Sequence, residues 1–274
     1  MIIDAFTLFN EIDLLEFRLK YLNNTVDYHI ICESNLTHSG LPKPYYLDEA
    51  WHRFSKWRNK IIYLQIEQST EGLSFDKVKS YTPSNGSWIL EQQQRSSLIL
   101  AQDSVSDNDM ILVGDLDEFP EESILSELKS MGIQNIQSPA SFSQLFHYYY
   151  MNCQNTGFER QWNGTILATG KQFKDFGPQE LRNNRNNYPR FKDAGYHFSY
   201  LGGIDKIKQK LEAFAHTEFN RPDITSDENI IRSIEKGEDI FSRPGVTYKF
   251  VDLDYYPQSI QQLMIEYPQF IKTL

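Results

Sequence analysis

The feature that most restricts the fold of this chain is a short apolar run that ends at a cluster of acids. Met110 to Val113 is continuous, apolar and rich in branched side chains, which is typical of a strand buried in a parallel sheet. After Gly114 the chain reads Asp115-Leu116-Asp117-Glu118-Phe119-Pro120. Because open α/β sheets bind ligands at the carboxyl ends of their strands, the pattern predicts a binding site at these acids.

The acid cluster predicts a divalent-cation site. Adjacent carboxylates repel one another unless a cation lies among them. Oxygen ligands suit Mn²⁺ or Mg²⁺, which fill their remaining positions with water and substrate phosphates. We expect Asp115 and Asp117 to be ligands, and His197 to be a third ligand from later in the chain. The alternatives are a solvated acidic turn for the two aspartates and a hydrogen-bonded strand histidine for His197.

Segments with the character of strands and helices alternate before the acids. Strands are predicted at residues 2–9, 28–32 and 60–66, and helices at 12–22 and 87–102. This order predicts an α/β fold with a doubly wound, mostly parallel sheet and helices on both faces.

The length favours one domain, because 274 residues lie near the upper limit for a single hydrophobic core. We predict one catalytic domain over 1–274, with a nucleotide-binding half at 1–135 and an acceptor-side half with C-terminal helices at 136–274. Residues 204–219 are predicted to be one long helix. The Asn-, Arg- and Lys-rich segment 171–192 is predicted to be a polar connector and is a candidate lid.

Charge and cysteine content restrict partners and location. A net charge of −10 excludes sequence-independent binding to nucleic acid or to an anionic membrane, since both need a basic surface. No apolar run approaches the roughly 20 residues of a membrane span. The start of the chain lacks a basic region and carries Asp4, unlike a secretory signal. With Cys32 and Cys153 expected to be buried thiols, these features predict a cytoplasmic protein.

A nucleotide-sized α/β scaffold with a metal-binding Asp-x-Asp predicts an enzyme whose substrate contains a diphosphate. In a nucleotide-sugar transferase such a metal stabilises the leaving diphosphate. Two rival interpretations are an aspartate-dependent phosphohydrolase and a non-catalytic glycan-binding protein with a structural cation. The first expects a small residue after the second aspartate, where this chain has Glu118.

Several segments together resemble glycosyltransferase family 17, in the order in which that family has them. They are Asn10–Glu16, Val26–Tyr28, Glu33–Thr37, Gly40–Pro44, Asp115–Pro120 and Asp193–Ser199. The resemblance runs from residue 10 to about residue 216, most of the chain. One departure is Tyr196, where the family usually has tryptophan before the histidine.

The resemblance implies a GT-A type fold, a UDP-N-acetylglucosamine donor, Mn²⁺ dependence and transfer to a glycan acceptor with inversion at the anomeric carbon, giving a β linkage. It leaves the acceptor open. Because an anchor and stem like those of the Golgi members are absent from this sequence, we expect the acceptor to be a surface polysaccharide or a lipid- or protein-linked glycan.

Roles follow as hypotheses from the resemblance and from position. Asp117 binds the metal directly, while Asp115 contacts it through water or binds the donor ribose. The residues expected to bind the nucleotide or diphosphate are Asn10, Glu11, Glu33, Ser34, Asn35, Arg95 and Lys210. Their alternatives are helix capping for the first two, a capping turn for the next three, and surface or structural roles for the last two.

The inverting reaction also needs a general base near the acceptor hydroxyl. The sequence does not single one out. Three carboxylates are candidates, Glu118, Glu180 and Asp193.

Overall fold

The first half of the chain forms four parallel strands. A computed structural model describes residues 1–76, 78 and 80–273. These strands are β1 (Ile2–Leu8), β2 (Tyr28–Ser34), β3 (Ile61–Ile66) and β4 (Met110–Asp115). They lie in the order β3-β2-β1-β4, with Thr7 opposite Asp115. The carboxyl ends of β1 and β4 therefore lie side by side.

The second half extends the same sheet with mixed strand directions. Its strands are β5 (Glu118–Pro120), β6 (Ala140–Tyr148), β7 (Cys153–Asn155), β8 (Gln161–Thr169), β9 (Arg190–Phe191), β10 (Gly195–Ser199) and β11 (Tyr248–Phe250). β8 lies between β4 and β6 and is antiparallel to both. β10 pairs with β5 and with β6, and this register places His197 opposite Glu118.

Helices cover both faces of the sheet. They are α1 (Ile12–Tyr21), α2 (Tyr46–Glu49), α3 (Gly86–Ser96), α4 (Glu122–Met131), α5 (Gly170–Phe176), α6 (Pro178–Asn183), α7 (Gly203–Ala213), α8 (Pro222–Thr225), α9 (Asp227–Lys236) and α10 (Gln258–Glu266). Two longer 3₁₀ segments cover Trp51–Lys60 and Ser97–Ser104. Single 3₁₀ turns lie at Ile133–Asn135, Thr217–Phe219, Leu253–Tyr255 and Pro268–Phe270.

Side chains of β1 and β4 alternate between two cores. Phe6 and Leu112 pack on one face with residues of α1, α4 and α10. Ala5 and Val113 pack on the other face with residues of the 97–104 segment, α5 and α6. A third core joins β6 and β7 to α7 and α9. Since the strands are buried on both faces, their sequences read as continuous apolar runs.

The α/β prediction with helices on both faces is confirmed, although strands beyond β4 run in both directions. Cys32 and Cys153 are free and buried, as expected. No helix within the described ranges is long and apolar enough to cross a membrane.

Two predictions about secondary structure are wrong. The predicted connector 171–192 contains most of α5, all of α6 and strand β9, because Leu181 packs into the second core and Arg182 is buried. The predicted helix over 204–219 ends at Ala213, and a 3₁₀ turn follows. The division into halves at residue 135 stays a prediction, and one sheet runs through both.

Candidate functional site

A cavity of about 680 Å³ opens where β1 and β4 end. Thr7, Leu8 and Asp115 contribute to its wall from these strands. The opposite wall comes from the second half of the chain and includes Phe146 and Trp162. The cavity therefore lies at the edge of the sheet predicted from the apolar run.

Asp115 is bound by two arginines from different helices. Arg95 of α3 donates to one carboxylate oxygen at 3.1 Å, and Arg182 of α6 donates to the other at 2.6 Å. Burial opposes ionisation of this carboxylate, but the two guanidinium charges outweigh burial and hold the pKa of Asp115 well below its usual range. Both oxygens of Asp115 are thus engaged by cations.

Asp117 has different partners. The ammonium group of Lys210 lies 2.8 Å from Oδ2, and Nε2 of His197 lies 3.3 Å from Oδ1. Against the effect of burial, these neighbours hold the pKa of Asp117 well below its usual range. Nδ1 of His197 is buried and has no hydrogen-bond partner among the residues that the structure describes.

Glu118 lies beneath the cavity and is fully buried. Its carboxylate accepts hydrogen bonds from both terminal nitrogens of Arg182 and, at 2.6 Å, from Nε1 of Trp162. The backbone N–H of Asp115 donates to it at 3.1 Å. Gly114 permits this approach, since a Cβ atom there would lie 3.0 Å from the Glu118 carboxylate. Both carboxylate oxygens of Glu118 accept hydrogen bonds, so this side chain stabilises residues 115–118, the acid loop, from the protein interior.

Arg18 supports the same loop from the core. It is fully buried in α1 and donates to both oxygens of Asp4, at 2.8 and 2.7 Å. Its remaining nitrogen donates to the backbone carbonyls of Leu116, at 3.2 Å, and Glu118. His29 also contacts Asp4, at 3.0 Å. A buried charged network thus fixes the backbone that carries Asp117.

Aromatic rings cover one wall of the cavity. Phe146 stacks on the ring of His197 with centroids 4.8 Å apart, and Trp162 lies 5.1 Å from the same ring. The guanidinium of Arg185 lies over Trp162 at 5.2 Å. Arg185 lines the cavity and has no carboxylate within salt-bridge distance in the described ranges. Burial and the neighbouring Arg182 lower the pKa of Arg185, and a bound anion would favour its charged form.

The three predicted metal ligands do not form one cluster. Within the described ranges no group of three or more His, Cys, Asp and Glu side chains could hold an ion. Both oxygens of Asp115 bind arginines, and its role as a metal ligand stays a prediction. Asp117 and His197, however, direct an oxygen and a nitrogen towards each other. This pair fits a cation that takes its other ligands from substrate phosphates and water.

Other predicted nucleotide contacts lie away from the cavity. Glu33 is fully buried and binds Lys43, Tyr63 and the first backbone N–H groups of α2. Ser34 accepts from the Leu36 N–H, and Asn35 accepts from the Gln68 N–H. These three side chains stabilise turns and the start of α2, and their contact with the nucleotide stays a prediction.

The residues predicted after β1 divide between two positions. Glu11 lines the cavity, while Asn10 does not, and the Asn10 N–H donates to the Glu11 carboxylate at 3.1 Å. Arg95 and Lys210 both line the cavity as ion-pair partners of the aspartates. Surface roles are therefore wrong for these two cations.

Two of the candidate general bases also lie away from the cavity. Glu180 is exposed and accepts hydrogen bonds from Asn184, and Asp193 is exposed and accepts from Gln161 at 2.7 Å. Glu118, the third candidate, is fully buried. None of the three lines the cavity within the described ranges, and the identity of the base stays a prediction.

Comparison with known proteins agrees with the earlier resemblance. The sequence profile of glycosyltransferase family 17 matches residues 1–273. The chain belongs to glycosyltransferase family 17. Similar curated proteins are β-1,4-mannosyl-glycoprotein 4-β-N-acetylglucosaminyltransferases. The human protein is 30% identical over 127 residues, which is 43% of this chain and 22% of that protein. The mouse protein is 23% identical over 308 residues, covering 98% of this chain and 53% of that protein.

The alignment with this chain covers only part of the length of these relatives. This chain spans about half of the mouse protein. A solved structure, that of 4-diphosphocytidyl-2C-methyl-D-erythritol synthase, has a TM-score of 0.41 and 11% identity, covering 70% of this chain and 88% of that one. A likeness at this level carries no functional weight.

Sequence reasoning missed several residues of this family 17 site, chiefly Arg18, Arg182 and Trp162. A signal existed for Arg18, because it lies on the helix face that also carries Leu14, Leu15 and Leu22. A charge on a buried face demands a partner. For Arg182 and Trp162 no local signal existed, since both reach the acid loop only through tertiary contacts.

Proposed function

We propose that this protein transfers a sugar, N-acetylglucosamine, from UDP-N-acetylglucosamine to a glycan acceptor, with inversion and with Mn²⁺ or Mg²⁺ as cofactor. The family supports glycosyl transfer, and the relatives are named N-acetylglucosaminyltransferases. One observation carries the proposal. One cavity at the strand ends contains both the Asp117–His197 pair and the guanidinium of Arg185, which forms no salt bridge with a carboxylate in the described part of the chain.

The charges of the cavity suit a nucleoside diphosphate. Lys210 presents positive charge beside Asp117, and Arg185 lines the same cavity, although the whole chain carries a net charge of −10. Guanidinium and ammonium groups form strong charge-assisted hydrogen bonds to phosphate oxygens. A site of this kind binds the substrate end that becomes the leaving group.

Asp117 and His197 are the residues that would hold a divalent cation, which when bound supplies Lewis-acid stabilisation of the departing diphosphate. Phe146 and Trp162 both contact the His197 ring and limit its movement. Arg18 and Glu118 fix the loop that carries Asp117, so the donor atoms are positioned before substrate arrives.

The proposal is tested by UDP release from UDP-N-acetylglucosamine in the presence of Mn²⁺. We expect slow release by the unmodified protein and a loss of at least about 100-fold in Asp117→Ala, because that carboxylate would act in the transition state. Arg185→Met should raise the KM for the donor more than it lowers kcat. The exposed Glu180→Gln serves as the control and should behave like the unmodified protein.

Other outcomes would identify the rival functions. Phosphate release from a generic phosphomonoester, without UDP release from the donor, would support a phosphohydrolase. Binding of glycans without either reaction would support a glycan-binding protein. Either result would overturn the proposed transfer.

A further inference from the structure

We propose that Glu159 is the general base that removes the proton from the acceptor hydroxyl. The inference rests on the proposed function and extends it to a residue of the second half of the chain. Glu159 lies in the turn between β7 and β8 and lines the cavity. Its side chain is about half exposed, at 53%, so an acceptor can reach it.

The other carboxylates of the cavity wall are occupied. Within the described ranges the acidic residues that line it are Glu11, Glu91, Asp115, Asp117 and Glu159. The two aspartates are bound by cations, and Glu91 is bound by Arg95 at 2.8 Å. Glu11 accepts from the Asn10 N–H and stabilises the charge of Lys210. Glu159 accepts no hydrogen bond from the residues that the structure describes.

The backbone holds Glu159 in an unusual and fixed conformation. Its φ of 58° lies in the left-handed region, which a residue with a side chain seldom adopts. Phe158 and Thr156 donate backbone hydrogen bonds to Gly245 and Thr247, at 2.7 and 2.8 Å. These bonds tie the turn to the segment before β11. Such strain is retained where the surrounding structure enforces it, commonly at functional sites.

Arg243 orients the carboxylate. Its Nη1 lies 3.5 Å from one oxygen of Glu159, while its other nitrogens donate to buried Asp239 at 3.0 and 2.9 Å. The guanidinium also lies over Tyr148, at 5.8 Å from the ring. Tyr148 packs against Phe146, which stacks on His197. A chain of contacts through Arg243, the aromatic rings and His197 therefore connects Glu159 to Asp117.

The proposed step balances in atoms and charge. The acceptor oxygen forms a bond to the anomeric carbon while its proton passes to the Glu159 carboxylate. The bond from that carbon to the diphosphate oxygen breaks, and its electron pair leaves with UDP. The protonated glutamic acid then returns its proton to water. Attack from the side opposite the diphosphate gives inversion.

Water and azide distinguish a base from other roles, and neither requires the natural acceptor. Water must lose a proton when it attacks UDP-N-acetylglucosamine, whereas the azide ion attacks without losing one. In Glu159→Gln we expect Mn²⁺-dependent hydrolysis to fall by at least about 100-fold, the usual range for general-base catalysis. Azide-dependent UDP release, with formation of the glycosyl azide, should be retained. Titration with UDP and Mn²⁺ should show unchanged affinity, which verifies the fold.

Matched variants make each outcome decisive. Glu180→Gln, an exposed glutamate away from the cavity, should keep both reactions. Glu11→Gln should alter affinity for UDP and leave the ratio of hydrolysis to azide release unchanged. Unchanged hydrolysis in Glu159→Gln, or loss of both reactions with UDP still bound, overturns the assignment. Absence of UDP release by the unmodified protein with either nucleophile would instead overturn the proposed function itself.

Discussion

The two aspartates of the acid loop differ in what holds them. Asp115 lies between two guanidinium groups, from α3 and α6, whose side chains are almost fully buried. Asp117 lies between an ammonium group and an imidazole, and the Lys210 side chain remains 26% exposed. Both aspartates line the cavity, so they differ in the burial of the cations that hold them.

The chemistry of the partners explains the difference. A guanidinium stays charged at all accessible pH values and binds carboxylates through a rigid planar fork, whereas an ammonium group on a flexible stem moves readily. An imidazole changes charge near neutral pH and binds metals. We infer that Asp115 fixes the loop, while Asp117 is the end able to exchange partners with a ligand.

The largest expected effect is on stability. Arg182→Met leaves the fully buried Glu118 without its cation, and we expect the free energy of unfolding to fall by about 3–5 kcal/mol. Lys210→Met should cost only about 1 kcal/mol, because the lysine is partly exposed and His197 remains. Urea unfolding at pH 7 measures both.

A rescue variant tests the cause of that loss. In the double variant Arg182→Met with Glu118→Gln, the amide carries no charge, so part of the stability should return. Equal costs for Arg182→Met and Lys210→Met would break the distinction between the two ends of the loop.

A second, smaller effect concerns metal affinity. His197→Ala should weaken Mn²⁺ binding in the presence of UDP by at least about tenfold, or roughly 1.4 kcal/mol, because a direct ligand is lost. Asp115→Asn should bind Mn²⁺ nearly as the unmodified protein does. Electron paramagnetic resonance of free Mn²⁺ measures this. Comparable weakening by Asp115→Asn would mean that the first aspartate is also a ligand.

The smallest expected effect is on the pH dependence of stability, and it concerns the buried pair of Arg18 and Asp4. Arg18 and His29, acting against burial, lower the pKa of Asp4 to about 2 from 3.8. A carboxyl group with a lowered folded-state pKa contributes stability that is complete above its unfolded value and is lost on acidification towards the folded value.

Between pH 5 and pH 3 the unmodified protein should therefore lose about 1 kcal/mol more stability than Asp4→Asn does. Urea unfolding at the two pH values measures the difference between the slopes, whatever the absolute stability of the variant. Identical slopes would show that this buried pair does not govern the acid response.

The sequence predicted the first half of the site well for a physical reason. A buried parallel strand needs a continuous apolar run, and its end is marked where Gly114 and Asp115 begin. Position in a parallel sheet then locates the cavity without further information. The helix predicted at residues 12–22 was likewise confirmed as α1, because its apolar spacing is local.

What could not be predicted depends on contacts between distant residues. Arg182 reaches Glu118 across 64 positions, and Glu159 meets Arg243 only after two chain segments pair. Glu33 lies near the carboxyl end of β2, where a ligand contact is expected, but its carboxylate binds the first backbone N–H groups of α2 instead. The predicted cytoplasmic location and the metal cofactor stay predictions.

Arg18 is fully buried, yet it connects α1 to the loop that carries Asp117. Its guanidinium lies over the rings of Phe6 and Phe119 while it holds the carbonyls of the acid loop. A mutagenesis screen for inactive clones should accordingly recover changes in these core positions. Clones changed at Arg18 should also be less stable, because buried Asp4 loses its cation, and this loss of stability distinguishes them from substrate-contact mutants.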